Sequence, residues 1–246
     1  MSSVVVYICY DHVKPHMWIT LHHIMKWCDS YGYSFERVEP INFQGISKTF
    51  NKYNAMRKFY NSNYDYMIWL DTDIIVQQTT PCIVRAFPNK PFAASILNKN
   101  NIKPNIEEYS HFSEFIKLID RSCSEGDIER MTTNYFNTGV MLISKQTIID
   151  MFESRDSIIN VYKKIERRHA YTNTPHTLLR EEFMTNYIIY KNNIPMFNLP
   201  KQWHSSIGHL HDHTSNRKGH QINDYILHFD IDDKDAVIWN YMYGRV

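Results

Sequence analysis

The chain has 246 residues, enough for one large domain with a sizeable buried core. Its formal net charge is +1, so bulk electrostatics gives no pull toward nucleic acid, and no apolar stretch approaches the roughly 20 residues that cross a bilayer. Cys9, Cys28, Cys82 and Cys123 are far apart and form no CxxC spacing, which argues against a zinc ribbon or a disulfide scaffold and makes reduced thiols the expectation.

In chain order, VVVYICY (4–10) is an unbroken β-rich run, as in a strand buried on both faces. It lacks the basic start and small-residue cleavage site of a signal peptide. Pro15 can open a helix that runs to about Tyr31, where Gly32 ends it. YSFERVE (33–39) reads as a second strand. Residues 47–61 read as a helix with Phe50, Tyr53, Ala55, Met56 and Phe59 on a broad apolar face. YMIWL (66–70) is a third strand, Pro81 opens a short helix, and FAASIL (92–97) is a fourth strand. Residues 106–122 read as helix and FNTGVMLIS (136–144) as strand. One or two helices are expected over 145–168, another over 178–192, and a late strand at YILHF (225–229). This alternation predicts an α/β domain with a mostly parallel central sheet and helices on both faces. No repeat or Pro/Gly linker divides it.

In such sheets ligands bind beyond the carboxyl ends of the strands. Asp71 and Asp73 stand there, in YMIWLDTDIIV (66–76), where two carboxylates two residues apart can share a hard divalent cation such as Mg²⁺ or Mn²⁺. The plainer reading is a turn in which they cap backbone N–H groups. The first strand ends at Tyr7, Cys9, Tyr10 and Asp11, where Tyr10 can stack on a base and Asp11 can either accept from it or cap the next helix. No GxGxxG follows the first strand and no GxxxxGK[ST] occurs, which argues against the usual dinucleotide fold and the P-loop NTPases.

YDYMIWLDTDIIV resembles the DxD segment of glycosyltransferases of the GT-A (Rossmann-like) fold, above all the group that includes the glycogenin-like and galactosyl/mannosyl-transferase families. NKYNAMRKFYNSNYDY is similar to that group's preceding helix with its lysine, here Lys52, with Arg57 and Lys58 nearby. YFNTGVMLIS (135–144) is similar to its FNxGxxL strand, with Asn137 and Gly139 in place. EEFMTN (181–186) resembles a DQxxxN helix start, with Glu181, Glu182 and Asn186 at the matching positions. LPKQWH (199–204) resembles LPxxWN, and HFDIDDK (228–234) resembles HxxGxxK. The likeness spans most of residues 3–235. It departs from the group's pattern at Glu181 and Glu182, and at Asp230 and Ile231.

The resemblance implies one GT-A domain over 1–246, with a nucleotide-binding part at about 1–100 and an acceptor-side part at about 101–246. It implies a metal-dependent transferase that moves a sugar from a nucleoside-diphosphate sugar, expected to be a UDP-sugar, to a hydroxyl acceptor such as a glycan. Asp71, Asp73 and His228 would hold Mn²⁺ or Mg²⁺. Tyr7, Tyr10, Asp11, Lys52, Thr72, Asn137, Gly139 and Lys234 would line the donor. Lys52 would lie near the diphosphate or pair with Asp71. Lys234 would reach a phosphate or stay solvated, and Gly139 would admit the donor or serve close strand packing. Glu181 and Glu182 would work near the anomeric carbon, as general base or in contact with the sugar. Two other readings compete: a nucleotidyltransferase, and a sugar-nucleotide binding domain without turnover. The segment 203–220, with His204, His209, His211, His213 and His220, reads as an exposed loop over the site, favoured over a dedicated metal site. The expected setting is a soluble cytoplasmic enzyme, similar to small catalytic domains encoded by large DNA viruses.

Overall fold

Alternation along the first strand already dictates a two-faced sheet. In β1 (Val4–Cys9), Val4, Val6 and Ile8 join one apolar core, while Val5 and Tyr7 join another. A computed structural model describes residues 2–10, 12–40, 48–97, 106–172, 180–206, 224–229 and 234–243.

Pro15 opens α1 (Pro15–Tyr31), and Gly32, at φ +66°, closes it in the left-handed conformation that a side chain would resist. β2 (Ser34–Val38) follows, then a 3-10 turn over Lys48–Asn51 that leads into α2 (Lys52–Tyr60). The apolar run at 66–76 breaks into β3 (Tyr66–Leu70) and β4 (Ile74–Val76), with the two aspartates between them. Next come α3 (Ile83–Ala86), β5 (Phe92–Ile96), α4 (Ile106–Ile119) and α5 (Glu125–Thr133), the last capped by the Ser124 hydroxyl. β6 (Phe136–Ser144), α6 (Lys145–Glu153), α7 (Ile158–Thr172), α8 (Glu181–Lys191) and β7 (Met196–Asn198) complete the large layer. The chain continues through β8 (Ser205–Ser206), β9 (Ile226–His228) and α9 (Lys234–Tyr243).

The main sheet has the order β2-β1-β3-β6-β5-β7. Pairing is parallel at β1–β2, β1–β3 and β5–β7, and antiparallel on both sides of β6. The sheet is therefore mostly parallel but mixed, and the one reversed strand has a consequence. The start of β6 lies at the edge where β3 ends, with Leu70 opposite Val140. A bulge between Ala94 and Ser95 pairs those residues with Met141 and Asn137, so residues 138–140 have no partner on β5.

One face of the sheet packs on α2 and α4–α8, through residues such as Met56, Phe115, Met131, Met151, Val161 and Ile188. The other packs on α1 through Met17, Leu21, Ile24 and Trp27. A second, three-stranded sheet, β4-β9-β8, closes the α1 side. Ile19, Ile75, Leu227, Phe229 and Ile238 pack it between α1 and α9. No disulfide joins the four cysteines, and no described helix is long and apolar enough to cross a membrane.

Candidate active site

β3 ends and β6 begins at one edge of the main sheet, and the aspartate turn after β3 leads into β4, which pairs with β9 of the second sheet. The Asp71 N–H donates to the Gly139 carbonyl at 2.9 Å, which staples the turn after β3 to the start of β6. Trp69 Nε1 donates to Asp71 Oδ1 at 2.7 Å, and Lys52 Nζ lies 3.3 Å from the same oxygen. The half-buried Asp71 carboxylate is thus oriented by donors on the α2 side of the sheet.

Lys52 is itself 5% exposed and forms the hub of a polar cluster. Its Nζ reaches Glu181 Oε1 at 3.0 Å, Thr138 Oγ1 at 2.9 Å and the Thr138 carbonyl at 3.2 Å. Burial works against the ammonium, but Asp71, Glu181 and Glu182 outweigh it and raise the Lys52 pKa above the ordinary lysine value. Burial, reinforced by Glu182 and Asp71, pushes the Glu181 carboxyl up to about 7 against the pull of Lys52. With three carboxylates around one ammonium, the cluster keeps a proton on Glu181 in mildly acidic solution.

Helix α8 supplies both glutamates from its first turn, where the helix dipole favours negative charge. It is buried on nearly every side, which fixes them firmly. Glu182 accepts from the Tyr135 hydroxyl in a short hydrogen bond and from the Thr138 N–H at 3.0 Å. The Asn186 side chain pairs with the backbone of Phe136 like a neighbouring strand: Oδ1 accepts its N–H at 3.0 Å and Nδ2 donates to its carbonyl at 2.8 Å. Asn137 turns back on its own strand, Oδ1 accepting the Gly139 N–H at 2.7 Å.

The second aspartate faces the other way. Asp73 is 5% exposed, and its Oδ1 is buried without a hydrogen bond, with His228 Nε2 3.3 Å away. Its Oδ2 takes a short contact from Lys234 Nζ. Burial alone would push the Asp73 carboxyl up; His228 and Lys234 outweigh it and hold the group well below the usual range. β9 pairs with β4, Ile74 opposite His228, and so brings the imidazole in. Asp71, Asp73 and His228 each offer a ligand atom, and these lie within 4.8 Å of one another. Two carboxylates and one imidazole, with a buried carboxylate oxygen that accepts no hydrogen bond, fit a hard divalent cation. Gly139 makes room for this: a Cβ there would stand 2.6 Å from His228 Cε1 and 2.9 Å from Nδ1. Of the two readings of this glycine, close packing is what the geometry displays, and the packed neighbour is His228.

The remaining expected residues lie as follows. The Thr72 carbonyl accepts from Thr20 Oγ1 at 2.9 Å, which ties the turn to α1. Tyr10 stands at the end of β1 with the Arg37 guanidinium 4.6 Å above its ring. Tyr7 is fully buried in the core with its hydroxyl unpaired, so it does not reach the surface of the site. Of the lysine alternatives, Lys58 pairs with Glu36 at 2.5 Å on the outside of α2. Asp11, Asp230, Ile231 and His209, His211, His213 and His220 lie outside the described residues. His204 is a correction. It is 1% exposed, not part of an exposed loop, and its Nε2 lies 2.9 Å from His228 Nδ1. Thr138, Tyr135 and Trp69 were missed in the sequence; a hydroxyl two residues before the strand's valine is no signal until α8 is docked against it.

No family sequence model matches the chain, and no curated protein matches it by sequence. Solved structures do. The chain is similar to a glycosyltransferase involved in the glycosylation of the major capsid of PBCV-1, at 13% identity and a TM-score of 0.56, over 96% of this chain and 99% of that one. It is similar to an active-site variant of LgtC at 10% identity and a TM-score of 0.50, over 93% of this chain and 88% of that one. At these identities the likeness is one of architecture, and with the topology above it establishes that the chain has the fold of the GT-A glycosyltransferases.

Proposed function

We propose that the protein is a metal-dependent glycosyltransferase that moves a sugar from a nucleoside-diphosphate sugar, a UDP-sugar in the first instance, to a hydroxyl acceptor such as a glycan. The observation that carries this reading is the meeting of Asp71, Asp73 and His228 within 4.8 Å at the ligand edge of a GT-A sheet. Asp71, Asp73 and His228 would hold Mn²⁺ or Mg²⁺. Such a cation, when bound, offsets the charge of a diphosphate and makes it a better leaving group.

The chain's own residues do the rest. Lys234, drawn from Asp73, supplies a cation to a phosphate oxygen as a point charge. Tyr10, backed by Arg37, offers an aromatic face to the base, with Asp11 beside it in sequence as acceptor. Asn137 and Thr72 flank the donor, and Gly139 leaves room for the His228 ring beside them. Glu182 and Glu181 stand in the layer behind Thr138, Glu182 next to the place of the anomeric centre and Glu181 held by Lys52. Tyr7 contributes from beneath, as core under the end of β1. The residues up to about 100 form the nucleotide half, and those after it form the acceptor half.

The test is calorimetric titration of UDP, GDP, UDP-glucose and GDP-mannose, each with and without Mn²⁺. Binding of one nucleotide class that requires Mn²⁺, and that weakens more than about 100-fold in Asp73→Asn, is expected. Undiminished, metal-independent binding in Asp73→Asn would sink the reading.

A further inference from the structure

Among the buried polar side chains that the proposed reaction does not use, His204 is set most firmly against the site. It follows the 3-10 turn Lys201–Trp203 and precedes β8, which pairs in parallel with β9, Ser205 opposite Leu227 and Ser206 opposite His228. This pairing lays the two imidazoles side by side, ring centroids 5.1 Å apart and planes tilted by 34°. His204 Nε2 stands 2.9 Å from His228 Nδ1, and the residues are 1% and 4% exposed, so bulk water does not compete for that contact. Gly139 packs against the same His228 ring. The other nitrogen of His228, Nε2, faces Asp73 Oδ1.

We propose that His204 is a positioning residue for the cation site, holding His228 in the tautomer that presents its Nε2 lone pair beside Asp73. Two ring nitrogens in hydrogen-bond contact share a single proton. If His204 Nε2 carries it, a neutral His228 bears its own proton on Nε2 and cannot ligate. If His228 Nδ1 carries it, His204 accepts, and Nε2 is available. A cation therefore selects the second arrangement, and a buried acceptor already placed at Nδ1 lowers the cost of reaching it.

The inference rests on the cation reading above, and the experiment separates the two. Mn²⁺ binding in the presence of UDP is followed on the whole chain by loss of the free-ion paramagnetic resonance signal. His204→Phe fills the ring's place without an acceptor and is expected to weaken Mn²⁺ binding about 10- to 100-fold. His204→Gln, whose Oε1 can accept the same bond, is expected to recover most of that loss. Wild-type affinity in His204→Phe, with binding still lost in Asp73→Asn, overturns the positioning role and leaves the cation site standing. An equal loss in the Phe and Gln variants, both folded, makes His204 a packing residue and overturns it too. No Mn²⁺ binding by the wild-type protein overturns the cation reading itself. A second readout needs no variant: long-range nitrogen-15 spectra of the histidine rings with Mg²⁺ and UDP. A proton on His228 Nδ1 and none on His204 Nε2 is expected; the reverse overturns the proposal.

Discussion

Two buried polar clusters meet at the ligand edge, and they are built on opposite plans. Around Lys52 every charge has an internal partner: Asp71 and Glu181 flank the ammonium, and Thr138 bridges the lysine and both glutamates. Around His228 the partnering is looser: Asp73 Oδ1 has the imidazole Nε2 3.3 Å away but no hydrogen bond. The other Asp73 oxygen is held by a lysine whose side chain is 34% exposed. A closed cluster fixes geometry by itself. An open one is completed by something that arrives. On the proposed reading the first cluster is scaffolding and the second the place of ligand capture, with the aspartate pair as the joint between them.

The sharpest way to break this contrast is Lys52→Met. It strands Asp71 and the buried Glu181 with no counter-charge and should cost about 3–5 kcal/mol, read as a lower midpoint in urea unfolding. A loss under about 1 kcal/mol would mean that the cluster is not a scaffold. Next in size is a pH effect from Glu181. Its carboxyl titrates at about 7 when folded against an ordinary value of 4.5, so the folded state binds the proton more tightly. That contribution is fully present below about pH 4.5 and is lost as pH rises through about 7, a fall on the order of 3 kcal/mol. Glu181→Gln, which stays neutral, should flatten the stability profile across this window; a slope unchanged in the variant places the titration elsewhere. The smallest expected effect sharpens the other side. Gly139→Ala puts a methyl against His228 and should cost about 1–3 kcal/mol by overpacking. It should also weaken Mn²⁺ binding about tenfold while leaving the Glu181 pH profile in place. Loss of both together would show the two clusters to be one unit.

Much of the architecture could be read from residue patterns because the first half is locally consistent. The continuous β-rich runs at 4–10 and 66–70 and Gly32 at a helix end are short-range signals, and the structure keeps them. α5 escaped notice because only Ile128 and Met131 face the core, too few for a period; its Ser124 cap was the signal to use. β7 and β8 are two or three residues long and exist through their neighbours. The expected helix at 47–61 resolves into a 3-10 turn and α2, and the run at 66–76 breaks at the aspartates. The carboxylate–imidazole cluster was legible as a set of residues, since Asp71, Asp73 and His228 do converge. Its internal wiring was not. That Lys52 would meet Glu181, or His204 meet His228, depends on how α8 and β8 dock, and no local pattern encodes docking.

The short sheet β4-β9-β8 also sets an order of events. Lys234 and Asp73, which touch in the folded protein, are 161 residues apart along the chain. β3 finds β1 across a shorter stretch of chain, whereas the aspartate turn meets His228 and Lys234 only through a much longer closure. Until that closure forms, Asp73 lacks the imidazole and the ammonium that flank it in the fold, so the cluster around His228 is assembled only in a strongly non-local step.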